Sequence, residues 1–206
     1  MLNFIRKNTN YRLLPIIAGI IISLFMLGQA SAGDYEKQSS RHGDGHSSKN
    51  LRFDIAENGS RFSFDAEPVD ENGLPAYGGE FITQGYLYPH GFLDTHNGVM
   101  EDGSPAYPNE VLGRWVCRGW HIGEGASTVT GPWVVTTQIF DLKEEFGKQT
   151  IITEGYELSD IDLPINRAIT GGTGKYSRAR GNSTQKLLGF NQSQGVNVRV
   201  VLRPKR

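Results

Sequence analysis

Glu154 is the residue of this sequence whose type and surroundings best fit chemistry. In the strand-like segment 148–158 every second residue shares a face, and Ile152, Glu154 and Tyr156 share one. A carboxyl group between two apolar side chains is desolvated, which suits it to general acid–base catalysis. We therefore predict Glu154 as the catalytic residue, with Ile152 and Tyr156 beside it in a binding pocket. A strand-end glutamate paired with an arginine is the structural alternative.

A second candidate group lies in the segment 111–121. Its two arginines mark one face as outward, so Trp115 and Cys117 on the other face are predicted to point inward and to bind substrate. Cys117 could be a nucleophile or a pocket wall, although a lone buried cysteine also serves as a small core hydrophobe. His121 ends the segment, where we expect it to form a hydrogen bond rather than to catalyse.

Motifs for other chemistry do not occur in the sequence. There is no HExxH, no CxxC and no recognisable nucleophile elbow. The glycines 171–174 do not fit a phosphate-binding loop, because Ile169 stands where the first glycine is needed and Tyr176 follows Lys175. His42 and His46 are read as solvated side chains. We predict no cofactor and no metal.

The elements that must position these residues are short strands separated by Gly, Pro and Asn turns, which is typical of an all-β barrel or sandwich. No stretch has a sustained helical period. The sequence predicts nine strands, at 51–56, 61–66, 80–88, 111–121, 133–141, 148–158, 166–170, 176–188 and 195–203. In the last of them alternate valines end at Leu202, so that face is predicted to be buried.

The segment 167–181 predicts a β-hairpin. Gly171, Gly172 and Gly174 allow the positive φ angles of a tight turn. Period-2 alternation is expected to resume after the turn, with Tyr176 on one face and Ala179 on the other.

This hairpin resembles a segment of the allene oxide cyclase and dirigent barrel superfamily, which reads A-I/V-x-G-G-[ST]-G-x-[FY]-x-x-A-x-G. The matching residues are Ala168, Ile169, Gly171, Gly172, Thr173, Gly174, Tyr176, Ala179 and Gly181. The resemblance implies an all-β fold with a single antiparallel β-barrel of about eight strands at 51–206. The aspartates of dirigent proteins and the charged pocket residues of the cyclases have no matching positions here, so their roles cannot be carried over.

The N-terminal residues are predicted to lie outside the barrel. A basic start, the apolar run 13–27 and Ala-Ser-Ala at 30–32 indicate a signal peptide at 1–32, and the polar segment 33–50 indicates a disordered linker. The protein is then secreted or periplasmic, without further membrane contact. Cleavage removes three of the 21 basic residues and leaves 18 against 22 acidic ones, a net charge of −4 that does not favour nucleic acid.

Two functions remain open. In the first, the lumen binds a small hydrophobic molecule and guides its cyclisation or isomerisation, as the resemblance implies; in the second, the protein is a non-catalytic carrier or interaction scaffold. An open lumen with a polar group favours the first function, whereas a filled lumen indicates a structural role. The resemblance also implies a homo-oligomer, either a trimer or a dimer, and Trp120 and Val116 lie on the predicted outer face.

Overall fold

A computed structural model describes residues 50–142 and 145–205. All nine predicted strands are present, with ends shifted by a few residues. They are β1 (Leu51–Glu57), β2 (Ser63–Phe64), β3 (Glu80–Pro89), β4 (Gly113–His121), β5 (Pro132–Asp141), β6 (Thr150–Leu158), β7 (Ile165–Gly172), β8 (Arg180–Phe190) and β9 (Val196–Lys205). The helical residues in these ranges form only single 3₁₀ turns. None of the described helices is long and apolar enough to cross a membrane.

The strands close into an eight-stranded antiparallel barrel. Strands β3 to β9 pair in chain order, β9 pairs with β1, and β1 pairs with β3 to complete the ring. The register of β1 on β3 ends at Glu57, opposite Gly85. Nearer the start of β3, its neighbour on this side is β2, in which Phe64 pairs with Phe81. The predicted barrel of about eight strands is therefore confirmed, with β2 as one additional short strand.

The main core lies inside the barrel and consists largely of alternate strand residues, whereas β1 is buried on both faces from Phe53 to Glu57. Trp115 and Cys117 are buried there, as predicted from the parity of β4. The predicted inner face of β9 is also buried; it consists of Val196, Val198, Val200 and Leu202. Phe53 packs against Phe140 across the lumen, with ring centroids 5.2 Å apart. A barrel of eight strands is just wide enough to be filled by such side chains.

The connection between β7 and β8 differs from the predicted tight turn. The two strands do form an antiparallel pair, but β7 continues through Gly172, a 3₁₀ turn follows at Gly174–Tyr176, and β8 begins only at Arg180. Tyr176 and Ala179 are both buried, so the predicted alternation across this segment is wrong. The hydrogen bonds of the 3₁₀ turn replace strand pairing here, and they rotate successive side chains by about a third of a turn.

Only one of the three hairpin glycines has the predicted conformation. Gly174 has φ of 56°, whereas Gly171 and Gly172 lie outside the left-handed region. Gly172 is instead constrained by space, because an added Cβ would lie 2.3 Å from the carbonyl oxygen of Thr150. Close approach of two backbones therefore accounts for this glycine, not a positive φ.

The predicted signal peptide at 1–32 lies outside the described residues, as does the predicted linker at 33–50 except for its last residue, Asn50. Strand β1 begins directly after it, at Leu51.

Candidate functional site

The cavity that best fits a small ligand opens at one end of the barrel. Strands β1, β4, β6 and β8 end at this mouth, and β3, β5 and β9 begin there, because neighbouring strands are antiparallel. The loop before β3 and the loop between β4 and β5 flank the opening with Pro75 and Ala126. Residues from distant parts of the chain therefore meet around one space.

This cavity has a volume of about 310 Å³, at the lower end of the range of about 300–1,000 Å³ typical of ligand pockets. Its wall is mainly aromatic and aliphatic. The apolar lining residues are Phe62, Phe64, Leu74, Pro75, Phe81, Trp115, Ala126, Trp133, Val134, Phe190 and Val196. The polar ones include Glu57, Thr83, Cys117, His121 and Glu157. An apolar wall with a few polar groups is the usual composition of a small-molecule site.

Aromatic rings form one side of the mouth. Phe62 stacks on Phe81 with ring centroids 5.3 Å apart, and it also contacts Phe64 at 6.0 Å. Phe62 and Phe64 remain partly exposed, and so does Phe190 on the opposite strand β8. These three rings are the first surface that a ligand entering from solvent would meet.

His121 places an imidazole against this aromatic wall. Its ring lies 5.0 Å from that of Phe81, and Nδ1 is 3.3 Å from the carbonyl oxygen of Gly79. A carbonyl only accepts hydrogen bonds, so Nδ1 carries the hydrogen and Nε2 keeps its lone pair. Burial lowers the pKa of His121, which favours the neutral ring. The predicted hydrogen bond is present. It leaves Nε2 able to accept a proton, so the bond does not exclude a role in catalysis, contrary to the expectation from the sequence.

Glu57 brings a carboxyl group to the same cavity from the end of β1. The backbone N–H of Val196 donates to its Oε2 at 2.7 Å. Burial raises the pKa of Glu57, and the nearby charge of Glu157 acts in the same direction. This carboxyl therefore holds its proton to a higher pH than an exposed glutamate does.

The carboxylate of Glu157, on β6, is hydrogen-bonded at both oxygens and lies close to an arginine. Gln138 and Gln185 donate to its two carboxylate oxygens at 2.9 and 3.1 Å, and the hydroxyl of Thr136 also donates to it. Arg167, on β7, lies 3.6 Å away and carries the opposite charge. Buried charges persist when they are paired and hydrogen-bonded in this way.

Arg167 is itself held by the barrel backbone. Its guanidinium donates to the carbonyl oxygens of Gly155, Tyr156 and Thr136, at 2.9 to 3.0 Å. The aliphatic part of its side chain passes over Gly155, where an added Cβ would lie 3.4 Å from Cγ of the arginine. Arg167 thus compensates the charge of Glu157 from inside the barrel.

Cys117 lies at the inner end of the cavity, beneath Glu157. Its Sγ is 3.7 Å from a carboxylate oxygen of that residue, to which the thiol donates. Burial raises the pKa of the Cys117 thiol well above its usual value, and the charge of Glu157 adds to the effect. Since only the thiolate is a nucleophile, Cys117 acts here as a wall of the cavity.

The predicted orientation of β6 is wrong. Glu154 and Tyr156 are exposed on the outer face, and Ile152 is half-buried there; none of the three lines the cavity. The inward residues are those of the opposite parity, ending at Glu157. The catalytic role predicted for Glu154 and the binding roles predicted for Ile152 and Tyr156 required a lumenal position, so they are not carried forward.

The reason for this error is that hydrophobicity favours the outward face of β6. Both faces carry one isoleucine and one glutamate, but the outward face also carries Tyr156, whereas the inward face carries Thr153 and Gly155. A shift of one residue exchanges the two faces. Packing inside the barrel decides which face of β6 points inward. Gly155 leaves room for the side chain of Arg167, whereas the ring of Tyr156 in the same place would fill that room. In the sequence, the small residues Thr153 and Gly155 were the feature that could have identified the inward face.

Within residues 50–142 and 145–205 no three His, Cys, Asp or Glu side chains are grouped closely enough to hold a metal ion. The polar groups of the cavity can accept, donate or transfer protons.

Comparison with known proteins supports the fold. No family model and no curated protein matches this chain. Among solved structures, the pterocarpan synthase dirigent protein PsPTS1 is similar over 74% of this chain and 91% of its own, with 20% identity and a TM-score of 0.50. The dirigent protein GePTS1 is similar over 74% and 82%, with 18% identity and a TM-score of 0.49. A pyocyanin demethylase is similar over 75% and 100%, with 13% identity and a TM-score of 0.46.

At this identity the likeness concerns the fold alone. The chain has a dirigent-like barrel fold, in agreement with the resemblance found in its hairpin segment.

Proposed function

We propose that the protein binds a small hydrophobic molecule in the mouth of its barrel. The observation that carries this proposal is the cavity of about 310 Å³, whose aromatic wall stays accessible from solvent at Phe62, Phe64 and Phe190. Transfer of an apolar molecule from water to such a wall is favourable by about 25 cal/mol for each Å² of apolar surface buried. The few polar groups of the cavity wall then orient the ligand.

The charges around the cavity favour a neutral ligand. Glu57 and Glu157 both line it, whereas Arg167, which offsets Glu157, is not among the lining residues. An anionic ligand would therefore meet carboxyl groups without an accessible cation. A hydroxyl or N–H group on the ligand can donate to Nε2 of His121, so the best fit is a neutral one- or two-ring molecule with one donor.

Fluorescence titration with N-phenyl-1-naphthylamine, a neutral two-ring probe with one N–H group, tests the binding site. We expect its emission to rise on binding to the folded protein. Ala126→Trp, which places a bulky ring at the mouth, should weaken binding by about tenfold or more. Val129→Trp makes a similar change on the same loop, at a side chain that is 84% exposed, and should leave binding unchanged. Equal binding by both variants would contradict the proposal.

Proton-transfer chemistry, such as isomerisation or cyclisation of the bound molecule, is the second candidate. Neutral His121 can act as a base through Nε2, and Glu57, which lines the same cavity and whose pKa burial raises, can act as an acid while it is protonated. A positioned acid or base contributes about 10²- to 10⁴-fold to a rate. On this proposal the chemistry belongs to Glu57 and His121 rather than to Glu154.

Native mass spectrometry of the purified protein should first identify a co-purifying small molecule. In D₂O, the wild-type protein is then expected to exchange a carbon-bound hydrogen of that molecule for deuterium. His121→Asn should reduce this exchange by about 10²-fold or more while the complex still appears in the mass spectrum. If exchange is equally fast in the variant, His121 is not the base; if the wild-type protein exchanges the hydrogen no faster than it exchanges in the free molecule, the barrel is a carrier.

Export remains part of the proposal. It is supported by the basic start, apolar run and Ala-Ser-Ala sequence of residues 1–32. N-terminal sequencing of the exported protein should begin at or near Gly33; a chain that retains Met1 would contradict it.

A further inference from the structure

The end of the barrel opposite the mouth, which we call the basal end, carries a concentration of positive charge. Strands β1, β4, β6 and β8 begin there, and β3, β5, β7 and β9 end there. Exposed cations occupy these strand ends and the connections 142–149 and 173–179; they are Arg52, Arg114, Lys148, Lys175, Arg178, Arg180, Arg203 and Lys205. Among the described residues only Lys148 of this set forms an ion pair, with Glu145.

The mouth has the opposite charge. The four connections at that end, 58–79, 122–131, 159–164 and 191–195, contain a single cation, Arg61. Their acidic residues are Asp65, Glu67, Asp70, Glu71, Glu124, Asp160 and Asp162. The negative net charge expected for the exported chain is therefore an average over an acidic end and a basic end. Charge of one sign grouped on one side of a protein directs that side towards a partner of the opposite sign.

The long connection 90–112 also starts at the basal end and carries acidic side chains, most of which lie elsewhere. Its middle part runs back to the mouth, where the carbonyl oxygen of Gly103 accepts a hydrogen bond from Asn58. Asp94 pairs with Arg199 at 2.8 Å. Glu110 therefore remains as the acidic residue of this connection near the basal end, and it does not balance the cations there.

The strand register brings several of these cations together. Arg180 on β8 lies directly opposite Lys205 on β9, and Arg203 is two residues away on the same face of β9. Arg52 on β1 lies opposite Val201, the next residue of that face. Like charges directly opposite each other on neighbouring strands are destabilising. A bound anion would relieve this repulsion.

Apolar side chains lie between the cations. Arg52 and Lys175 flank an open depression of about 290 Å³, to which Leu51, Leu112 and Leu142 also belong. Leu112 is 51% exposed. An exposed side chain that is apolar and surrounded by cations is suited to a surface that is itself partly apolar and anionic.

A second exposed apolar side chain lies on the connection 142–149. Phe146 is 77% exposed, and the guanidinium of Arg114 lies 4.1 Å from the centre of its ring. The aromatic ring and the cation therefore face the same partner.

This combination of side chains indicates which anion fits. A soluble polyanion, such as a sulfated polysaccharide, needs only the cations and has no use for an exposed leucine or phenylalanine. An anionic bilayer offers lipid phosphates to the cations and an interfacial region in which apolar side chains are buried. Lysine and arginine can bury their aliphatic stems at such an interface while their charged groups remain in water.

We propose that the basal end of the barrel binds the surface of a lipid bilayer that contains anionic phospholipids. Leu112 and Phe146 enter the headgroup region, and the surrounding cations contact lipid phosphates. The acidic mouth then points away from the membrane, so the ligand cavity stays open to the aqueous phase. The proposal departs from the expectation that the exported chain makes no further membrane contact, which did not consider how its charges are distributed.

Co-sedimentation with vesicles tests the role of the cations. The wild type should bind equimolar phosphatidylcholine and phosphatidylglycerol at least about tenfold more strongly than phosphatidylcholine alone. Arg52→Glu/Lys205→Glu should weaken binding to the anionic vesicles by at least about tenfold, since each basic residue near such a surface contributes about fivefold. Arg61→Glu/Arg118→Glu makes the same charge change at exposed arginines outside the basal end, and should stay within about twofold of the wild type.

Serine variants distinguish a bilayer from a soluble polyanion. Leu112→Ser and Phe146→Ser should each weaken binding to the anionic vesicles by about threefold or more, because less apolar surface enters the interface. Neither should change binding to dextran sulfate, whereas Arg52→Glu/Lys205→Glu should weaken it. If both serine variants bind the vesicles as the wild type does, the partner is a soluble polyanion and the bilayer proposal fails. Thermal unfolding of each variant verifies that the barrel remains folded.

A dye attached at single sites shows which end meets the bilayer. An environment-sensitive dye on Phe146→Cys should gain emission with anionic vesicles, whereas the same dye on Val129→Cys, in a connection at the mouth, should not. Wild-type protein treated in the same way measures any labelling of Cys117. All variants are prepared in the same form of the chain, so residues 1–32 contribute equally to each.

Three further results would overturn the proposal. They are a wild type without preference for anionic vesicles, equal losses for the two double charge variants, and a dye at Val129→Cys that responds as strongly as one at Phe146→Cys. None of these measurements involves the ligand of the cavity. Failure of membrane binding and failure of the proposed binding function are therefore distinguishable.

Discussion

The guanidinium of Arg167 lies 3.6 Å from the carboxylate of Glu157 inside the barrel, and the arginine side chain is completely buried. Two charged residues at the centre of a closed sheet are costly unless each compensates the other. Their pairing stabilises the wall of the cavity, and it also leaves Glu57 as the carboxyl group of the cavity without a cationic partner among the described residues.

Removal of the buried cation should strongly destabilise the barrel. Arg167→Met leaves the charge of Glu157 uncompensated, and we expect a loss of about 3–5 kcal/mol in the free energy of unfolding. Urea unfolding followed by tryptophan fluorescence measures it. The double variant Arg167→Met/Glu157→Gln removes both charges and should recover part of the loss. If the double variant is no more stable than Arg167→Met, the two charges are not coupled.

Glu57 should make stability depend on pH. Its pKa is raised in the folded state, so its contribution to stability is present at low pH and is lost as the pH rises above about 4.5 through the raised value. Glu57→Gln cannot ionise but can still accept the hydrogen bond from Val196. The melting temperature of this variant relative to the wild type should therefore rise between pH 4.5 and pH 8.

Asp70→Asn serves as a control for the Glu57→Gln experiment, because the pKa of Asp70 is shifted in the opposite direction. Hydrogen bonds from Leu74, Ser127 and Asn72 lower the pKa of its exposed carboxyl group. Its contribution to stability is present above the ordinary aspartate pKa and is lost as the pH falls through the lowered value. Asp70→Asn should therefore lose melting temperature relative to the wild type as the pH rises towards about 3.8, and the difference should stay constant between pH 4.5 and pH 8. Parallel pH profiles for the two variants would contradict both assignments.

Gly172 and Gly171 should respond differently to the same substitution. In Gly172→Ala the new Cβ would lie 2.3 Å from the Thr150 carbonyl oxygen, whereas in Gly171→Ala its nearest neighbour is a nitrogen of Arg180 at 3.8 Å. We expect Gly172→Ala to cost about 1–3 kcal/mol, the usual range for overpacking, and Gly171→Ala to be close to neutral. Chemical denaturation compares them directly, and equal midpoints would show that the backbones do not approach so closely.

Cys117 should be unreactive in the folded protein. The chain has a single cysteine, so one mass shift reports its alkylation. Burial and the raised pKa of the thiol disfavour the thiolate, and we expect iodoacetamide at pH 8 to react at least about 100-fold more slowly than in urea-unfolded protein. Rapid alkylation in the folded state would instead indicate an accessible nucleophile at the base of the cavity.

The sequence alone determined the order and number of the strands. Gly, Pro and Asn turns separate the strands, and alternation within β4 and β9 assigned Trp115, Cys117 and Val198 to the interior. These inferences succeed because turn chemistry is local, because two arginines mark the outward face of β4, and because alternate valines mark the inward face of β9.

Only the tertiary structure decided which carboxyl group faces the lumen. On β6 the more apolar face points outward, so the choice of Glu157 over Glu154 depended on neighbours far away in the chain: Arg167, Gln138 and Gln185. The same holds for Glu57 and His121, which reach one cavity because antiparallel strands bring the end of β1 and the end of β4 to the same mouth. Alternation specifies that two faces exist, but partners that are remote in sequence select the one that is buried.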